Sequence, residues 1–161
     1  MTSEVSDELL SEGERLAWQS ALSMADVLRA LVNGEVAPDT GLSSPDFLVL
    51  NRLKVAPEFR IAGLKALAAK LEWSPSRLSH HLKRMKDRGL VDLTHESDGQ
   101  LVVNGTETAQ QIMERASVLH ARAVRRYFLS QATDDELRVI VQVAERVRSQ
   151  RAGVAGENVN Q

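Results

Sequence analysis

Residues 74–89 constrain the fold of this chain more than any other segment, because both of their ends carry a helix signal. Ser74-Pro75 is typical of a helix start, where the serine side chain caps the first turn. A proline is tolerated at the next position because the N–H that it lacks would have no partner within the helix. Gly89 is typical of the left-handed residue that follows a helix. The apolar residues between these ends are Leu78, Leu82 and Met85. Their helical spacing predicts an amphipathic helix that buries one face.

The opposite face of this predicted helix consists mostly of hydrogen-bond donors and small residues. It comprises Ser76, Arg77, His80, Lys83, Arg84 and Asp87. Base edges and phosphates in a DNA major groove present acceptors that such donors can meet. The Ser74 end also offers free backbone N–H groups to a phosphate. The segment is therefore a candidate reading helix, and the alternative interpretation is a solvated charged surface.

The charge of the chain is unevenly distributed. The net charge is −2, yet residues 60–91 contain eight basic residues and only two acidic ones, Glu72 and Asp87, for a local charge of +6. A basic centre within an acidic chain is typical of a local phosphate-binding face. Charge alone leaves an unevenly charged, solvated surface as an equal alternative.

The segments on either side of residues 74–89 complete a recognisable order. A compact amphipathic helix is predicted at residues 62–71, with a short extended piece at residues 59–61 before it. Two β-prone runs follow, at residues 91–94 and 101–103. The loop between them contains Glu96, Ser97, Asp98, Gly99 and Gln100, with the Asp-Gly signal of a hairpin turn. Two short helices followed by a hairpin predict a winged helix-turn-helix.

The first long helix is predicted at residues 13–32, where apolar residues recur at helical spacing. Asn33-Gly34 is expected to end it. A polar loop is predicted at residues 35–43, with Pro38 and Gly41 as breakers.

Three further helices are predicted, one before the compact helix and two after the hairpin. Ser44-Pro45 starts one that stops before Pro57. Another is predicted at residues 106–128, and Thr133 with Glu136 forms the capping box of the last. The apolar stripes of the first and last helices exceed what packing on small neighbours needs, which indicates a partner subunit. The residues expected to face inward from the helix after Ser44 are Phe47, Leu50 and Leu53.

Residues 42–147 resemble the MarR family of bacterial transcription regulators. The segments that carry the resemblance are Leu67-Ala68-Ala69-Lys70-Leu71, Trp73-Ser74-Pro75-Ser76-Arg77-Leu78-Ser79, Arg88-Gly89-Leu90-Val91, His120 with Val124-Arg125, and Thr133-Asp134-Asp135-Glu136-Leu137. Each motif alone is common, whereas their joint order is specific. The resemblance implies a mainly α fold with a small β-hairpin wing, in which long N- and C-terminal helices form a homodimer.

The resemblance divides the chain into four parts. We expect an N-terminal dimerisation helix and loop at residues 1–42 and a winged helix-turn-helix DNA-binding lobe at residues 43–104. C-terminal dimerisation helices are expected at residues 105–152, followed by a flexible tail at residues 153–161.

The function implied by the resemblance is that of a repressor. It would bind an inverted-repeat operator in double-stranded DNA, and a small aromatic or phenolic ligand between the dimer helices and the reading lobe would release it. The candidate DNA-binding residues are Ser74, Ser76, Arg77, Ser79, His80, Lys83, Arg84 and Arg88. The wing departs from the family because residues 96–100 are acidic and contain no arginine for the minor groove. This departure leaves a winged-helix module that binds another protein as the alternative function.

Other classes are disfavoured by the sequence. The chain has no cysteine, which excludes disulfides, thiolate zinc sites and thiol redox switches. His80 and His81 would point about 100° apart on a helix, so we expect no metal site. We find no nucleophile–base pair or phosphate loop and expect neither an enzyme nor a cofactor. The acidic N-terminus is not a secretory signal and no apolar run could span a bilayer, which predicts a cytoplasmic protein without a membrane partner.

Overall fold

The computed structural model describes residues 9–157, with side chains up to residue 150. Its helices are α1 (Glu12–Thr40), α2 (Ser44–Lys54), α3 (Leu64–Leu71), α4 (Pro75–Asp87), α5 (Glu107–Tyr127) and α6 (Asp134–Glu157). Its strands are β1 (Arg60–Ala62), β2 (Val91–His95) and β3 (Leu101–Gly105). Short 3₁₀ turns occupy Pro57–Phe59 and Leu129–Gln131. The predicted fold class, mainly α with a small β wing, is confirmed.

The sequence predicts an acidic N-terminal segment and a flexible C-terminal tail at residues 153–161. Residues 1–8 and 158–161 lie outside the described residues. The backbone of α6 is helical to Glu157, five residues into the segment expected to be a tail.

The first helix runs further than the sequence indicates. The expected end at Asn33-Gly34 is wrong, because α1 continues through Pro38 to Thr40. The helix ends at Gly41, whose φ is 68° and whose N–H donates to the carbonyl of Ala37 at 2.8 Å. Tertiary packing explains the extension, since the last turns of α1 bury Val36 in the core and lie against α5. Local breaker residues are overridden where burial of this kind is available.

The second helix begins one residue earlier than expected. Ser43, rather than Ser44, is the N-cap, and Ser43 and Asp46 form a capping box. The Ser43 N–H donates to Asp46 Oδ2 at 2.8 Å, and the Asp46 N–H donates to Ser43 Oγ at 3.3 Å. Phe47, Leu50 and Leu53 are buried, as predicted.

The helix-turn-helix is formed by α3 and α4. Leu78, Leu82 and Met85 of α4 are fully buried, which confirms the predicted inner face. Ser74 caps α4 by accepting a hydrogen bond from the N–H of Arg77 at 3.2 Å. After α4, Gly89 has φ 68° and the Leu90 N–H donates to the carbonyl of Met85 at 2.9 Å. This is the Schellman closure that a C-terminal glycine permits.

The wing is a three-stranded antiparallel sheet with the order β1-β3-β2. The predicted hairpin is present, and Leu93 faces Val103 across it. Its loop closes where the Glu96 N–H donates to the carbonyl of Gln100 at 2.9 Å, with Gly99 at φ 81°. The extended piece expected at residues 59–61 is the strand β1, shifted by one residue and paired with β3.

The long helices carry much of their apolar surface on the outside. In α1, every residue from Glu12 to Val27 is exposed, including Leu16, Trp18 and Leu22. On α6, the exposed apolar residues are Val139, Val141, Val143 and Val147. Within residues 9–157, none of the helices is both long and apolar enough to cross a bilayer.

Candidate nucleic-acid interface

The outer face of α4 is the candidate interface. The residues predicted for it are all exposed: Ser74, Ser76, Arg77, Ser79, His80, Lys83, Arg84 and Arg88. Successive helix residues are about 100° apart, which places Ser76, His80 and Lys83 opposite the buried face. The arginines on one flank of the helix are Arg77, Arg84 and Arg88. The described chain therefore leaves a polar and cationic surface open along α4.

Arg77 and Arg84 contact aromatic side chains near the start and on the inner face of α4. Arg84 Nη2 lies 3.1 Å from His81 Nδ1. The Arg77 guanidinium lies 4.3 Å from the centroid of the Trp73 ring, a cation–π distance. Arg77 is thus drawn toward the turn between α3 and α4, while Ser76, His80 and Lys83 keep the central outward positions.

Arg88 differs from the other predicted DNA-binding residues. Its Nη1 donates to Asp46 Oδ2 at 2.7 Å, and its Nη2 donates to the Gly41 carbonyl at 2.7 Å. The guanidinium therefore ties the end of α4 to the end of α1 and the start of α2. These two contacts give Arg88 a part in positioning α4, while its side chain remains 47% exposed.

Asp46 is the centre of this connection. Its side chain is only 1% exposed and accepts hydrogen bonds from Ser43 and Arg88. Burial would raise the pKa of the carboxyl, but the hydrogen bonds from Arg88 and Ser43 outweigh burial and hold the pKa below its usual value. Asp46 is therefore a buried carboxylate whose charge is compensated by Arg88.

His81 completes the cluster from the inner face of α4. Arginine only donates hydrogen bonds, so the contact with Arg84 makes Nδ1 the acceptor and leaves the proton on Nε2. That Nε2 lies 3.1 Å from Asp46 Oδ1, within the distance of an ion pair. Burial lowers the pKa of His81 and favours the neutral ring.

The sequence did not reveal this cluster. Ser43 and Asp46 match a capping box, which is a local signal, but the partner of Asp46 lies 42 residues further along the chain. In the sequence, the only feature that draws attention to His81 is the adjacent His80, which makes the two residues a candidate pair of metal ligands. The two rings differ in environment, since His81 is buried and His80 is exposed. Within the described residues, no three histidine, aspartate or glutamate side chains are grouped so as to hold a metal ion.

The two acidic residues of the wing loop have different hydrogen-bond partners. Glu96 Oε1 accepts from Arg60 Nη2 at 2.8 Å, so a cation from β1 compensates one acid. Asp98 Oδ1 accepts from the N–H of Gln100 at 2.9 Å and thereby helps to shape the turn. Glu96, Ser97, Asp98, Gly99 and Gln100 are all exposed. The basic charge of the candidate interface is therefore concentrated on α4 rather than on the wing loop.

A cavity of about 690 Å³ lies beside the start of α4. The walls come from α1, the start of α2, the α3–α4 turn and α5. Apolar side chains dominate the lining and include Leu28, Val32, Phe47, Leu48, Val124 and Phe128. The basic groups in the lining are Arg29, Arg77 and His120, and the lining contains no acidic side chain. Such a cavity suits a small apolar anion.

Comparison with known proteins gives two kinds of match. A model of the arsR family of bacterial regulatory proteins matches residues 65–92, from α3 to the start of β2. No curated protein matches the chain. AbsC, a MarR family transcriptional regulator from Streptomyces coelicolor, has a similar structure, with a TM-score of 0.83 and 26% identity over 90% of this chain and 98% of that one.

Two further solved structures have the same architecture. Sco3205, a MarR family transcriptional regulator from Streptomyces coelicolor in complex with DNA, gives a TM-score of 0.82 and 22% identity over 88% of this chain and 90% of that one. The PcaV transcriptional regulator from the same organism, in complex with its natural ligand, gives a TM-score of 0.69 and 23% identity over 80% of this chain and 89% of that one. The predicted resemblance to MarR family regulators is confirmed, and these neighbours are regulators rather than enzymes.

Proposed function

We propose that this chain is a dimeric transcriptional regulator that binds double-stranded DNA through α4, represses from an inverted-repeat operator and is released by a small aromatic or phenolic anion. The observation that carries the proposal is the division of α4 into two faces. Leu78, Leu82 and Met85 anchor the helix, while the polar face stays exposed. A regulator of this kind acts in the compartment that holds the DNA, which in a bacterium is the cytoplasm.

The proposed contacts follow from the position of each side chain on α4. His80 and Lys83 have the central positions from which side chains reach base edges or phosphates. Ser76 shares this central face, and Ser79 and Arg84 lie on either side of it. Ser74, as the N-cap, lies at the positive end of the helix dipole, where a phosphate is favoured. The solved relative Sco3205 supports this reading, because it forms a complex with DNA.

The dimer is proposed because α1 and α6 expose more apolar surface than a stable monomer keeps in water. On α1, Leu16 is 65% exposed and Leu22 is 50% exposed. Within the described chain, every residue in the first half of α1, from Glu12 to Val27, is exposed. A second copy offers the same apolar surface by symmetry, and a two-fold dimer would present two reading helices to an inverted repeat.

The effector is proposed from the cavity between the dimer helices and the reading lobe. Its apolar walls and its basic, acid-free lining favour an aromatic anion. The relative PcaV is a regulator with a natural ligand, which supports a ligand-responsive function. A ligand that binds one spacing of the reading helices better than another would shift the population away from the DNA-binding form.

The salt dependence of DNA binding tests the proposal. If the dimer makes about 6–10 phosphate contacts, its affinity for duplex DNA should fall roughly 10³–10⁵-fold between 50 and 200 mM salt. Lys83→Ala should weaken binding and make the salt dependence shallower. Arg138→Ala is the matched control, because it removes an exposed cation on α6 that pairs with Asp135.

The same salt titration distinguishes DNA binding from the alternative function, a winged-helix module that binds another protein. A module that binds another protein would show no appreciable affinity for duplex DNA at low salt, and Lys83→Ala and Arg138→Ala would then behave alike. That result would overturn the DNA-binding proposal.

A further inference from the structure

His81 is a buried titratable residue on the inner face of α4 and lies outside the candidate DNA-binding set. The residue is only 6% exposed, and its two ring nitrogens face different groups. Nδ1 lies 3.1 Å from Arg84 Nη2, and Nε2 lies 3.1 Å from Asp46 Oδ1. His81 therefore connects an exposed arginine of the candidate DNA interface to the buried carboxylate behind the helix.

The surroundings of the His81 ring favour its neutral form at pH 7. The edge of the ring meets the Trp73 ring, with 5.6 Å between the centroids. Burial is the largest influence on the ring and lowers its pKa below the ordinary value of 6.5. The charged groups that face the ring come from α2 and α4, and they are Asp46, Arg77 and Arg84, with Arg88 on the far oxygen of Asp46. The cations of this set outnumber its one anion.

The contact with His81 holds Arg84 at the side of α4. Around the helix, Arg84 lies about 40° from the outward His80 and about 60° from the inward His81. Its guanidinium donates to His81 and is thereby turned toward the inner neighbour. A guanidinium without this bond can turn toward the outer face, where phosphates and base edges of DNA would accept its hydrogen bonds. The direction of Arg84 therefore depends on His81.

A protonated His81 would not accept this bond. An imidazolium ring donates from both nitrogens, so Nδ1–H would face the N–H groups of Arg84 and the two positive charges would repel each other. On the other side of the ring, Nε2–H would face Asp46 Oδ1, and the carboxylate would stabilise the added charge. The cluster thus has two arrangements: a neutral ring that holds Arg84, and a charged ring, paired with Asp46, that releases it.

We infer that His81 is a positioning residue for DNA binding: its neutral ring holds Arg84 at the side of α4, and its protonation releases Arg84 toward the DNA. This inference rests on the proposed function and adds a control by pH. Because the released arginine gives DNA an additional contact, the affinity for duplex DNA rises as the pH falls. Thermodynamic linkage then requires that bound DNA favour the protonated form of His81 by the same factor.

The pH dependence of duplex affinity tests this inference. Between about pH 8 and about pH 5, the range in which histidines change charge, the parent protein should gain about 10-fold or more in affinity from one charge-assisted contact. His81→Gln keeps an acceptor for Arg84 but binds no proton, so this gain should be lost. The exposed His80 is present in both proteins, so its own titration cancels in the comparison. Circular dichroism at each pH checks that both proteins are folded.

A double-mutant cycle tests whether His81 acts through Arg84. In an Arg84→Ala protein, which should bind DNA more weakly, adding His81→Gln should no longer change the pH dependence. A His81 that acted only through its own charge would give the same difference with and without Arg84. His95→Gln is the matched control, because it removes an exposed histidine of β2. It should leave the gain that depends on His81 in place.

Nitrogen NMR of the histidine rings tests the contact without DNA. The neutral ring of His81 should be the Nε2–H form, because Nδ1 accepts from Arg84. Arg84→Ala should raise the pKa of His81, since the charge of Arg84 lowers it in the parent. Lys86→Ala is the matched control, because it removes a cation from the other side of α4, about 140° around the helix from His81. It should leave the titration of His81 nearly unchanged.

Three results would overturn the inference. They are an equal pH dependence of DNA affinity in the parent and in His81→Gln, an effect of His81→Gln that persists in Arg84→Ala, and a titration of His81 that Arg84→Ala does not shift. If the parent protein bound no duplex DNA at any of these pH values, the proposed function would fail. The NMR titrations would still decide whether the neutral His81 ring holds Arg84.

Discussion

At the scale of single residues, Asp46 connects several elements around the reading helix. It caps α2 through Ser43, pairs with Arg88 after α4, and lies beside His81. Arg88 in turn donates to Gly41 at the end of α1. Because the carboxylate is almost fully buried, the loss of Arg88 would leave its charge without compensation.

Asp46→Ala removes the capping box of α2 and the charge-assisted bond to Arg88, whose side chain is 47% exposed and can be hydrated in the variant. It should therefore lower the free energy of unfolding at pH 7 by about 1–3 kcal/mol. The pKa of Asp46 is lowered in the fold, so its contribution is present above the unfolded carboxyl pKa of about 4 and is lost as the pH falls toward the folded value. Denaturant unfolding at several pH values should show the difference between the parent and the variant begin to shrink near pH 4 and shrink further as the pH falls through the lowered pKa of Asp46.

Asp39→Ala is the control for this change, because Asp39 forms an exposed pair with Arg115 at 3.2 Å. Its removal should cost roughly 0–1 kcal/mol. Equal losses in the two variants at pH 7 would show that the Asp46 cluster does not stabilise the fold.

Gly105 is a second residue whose identity the structure explains. A Cβ at this position would lie 2.0 Å from Cε1 of Phe59. The ring of Phe59 has little room to move, since it is partly buried and packs against the core. Gly105→Ala should therefore lower the free energy of unfolding by about 1–3 kcal/mol.

Gly34 provides the matched comparison in thermal melts. A Cβ there would meet nothing within 4 Å, and the residue lies inside α1. Gly34→Ala should raise stability by roughly 0.5–1 kcal/mol. A Gly105→Ala protein as stable as the parent would contradict the packing of Phe59 on the wing.

Local signals predicted the residues whose role depends on their neighbours in sequence. The cap at Ser74, the left-handed Gly89 and the capping box at Thr133 are of this kind. The pair of Asp46 and Arg88 could not be found in this way, because neither residue has a local feature that indicates the other. Arg88 therefore looked like a DNA contact in the sequence and is bound to Asp46 in the structure.

At the scale of elements, α1 shows how burial moves the end of a helix beyond its local stop signals. Asn33-Gly34 and Pro38 are ordinary stop signals, yet the helix ends only at Gly41. Val36 is 3% exposed, and Glu35 accepts a hydrogen bond from the Tyr127 hydroxyl at 2.6 Å. These contacts with the core and with α5 are non-local, so the sequence pattern alone could not weigh them against the breakers.

The reading helix is the element in which sequence and structure agree best. Its amphipathic pattern is complete within 13 residues, so no distant partner was needed to orient it. Leu82→Ala should lower the free energy of unfolding by about 2–5 kcal/mol, because Leu82 is fully buried. Lys83→Ala, one residue along the helix, should change it by less than about 0.5 kcal/mol. Thermal melts in which the two variants behave alike would contradict the orientation of α4.

At the scale of the whole molecule, the sequence predicted the order of helices and wing but not what these elements enclose. The cavity combines side chains from α1, α2, the α3–α4 turn and α5. Its assembly depends on the length of α1 and on the angles between helices, which a periodic pattern does not specify. The pairing of β1 with β3 is non-local in the same way, since Ile61 faces Val103.

The exposed apolar surface of the long helices makes a prediction about assembly. Leu22→Glu should weaken the dimer, because a two-fold interface would bury two added charges close together. Sedimentation velocity should show a dimer for the parent and a monomer for the variant at the same concentration. Val55→Glu is the control, as Val55 is 77% exposed between α2 and β1, away from α1 and α6. A monomeric parent protein, or loss of the dimer in both variants, would contradict the proposed interface.

The central claim is that paired α4 helices read DNA, and selection from a pool of random duplexes tests it most directly. The account predicts an enriched inverted repeat whose half-sites are centred about 10 bp apart, one helical turn. Lys83→Ala should reduce the enrichment. A pool that shows no enriched sequence at low salt, or an enriched single site without two-fold symmetry, would contradict the account.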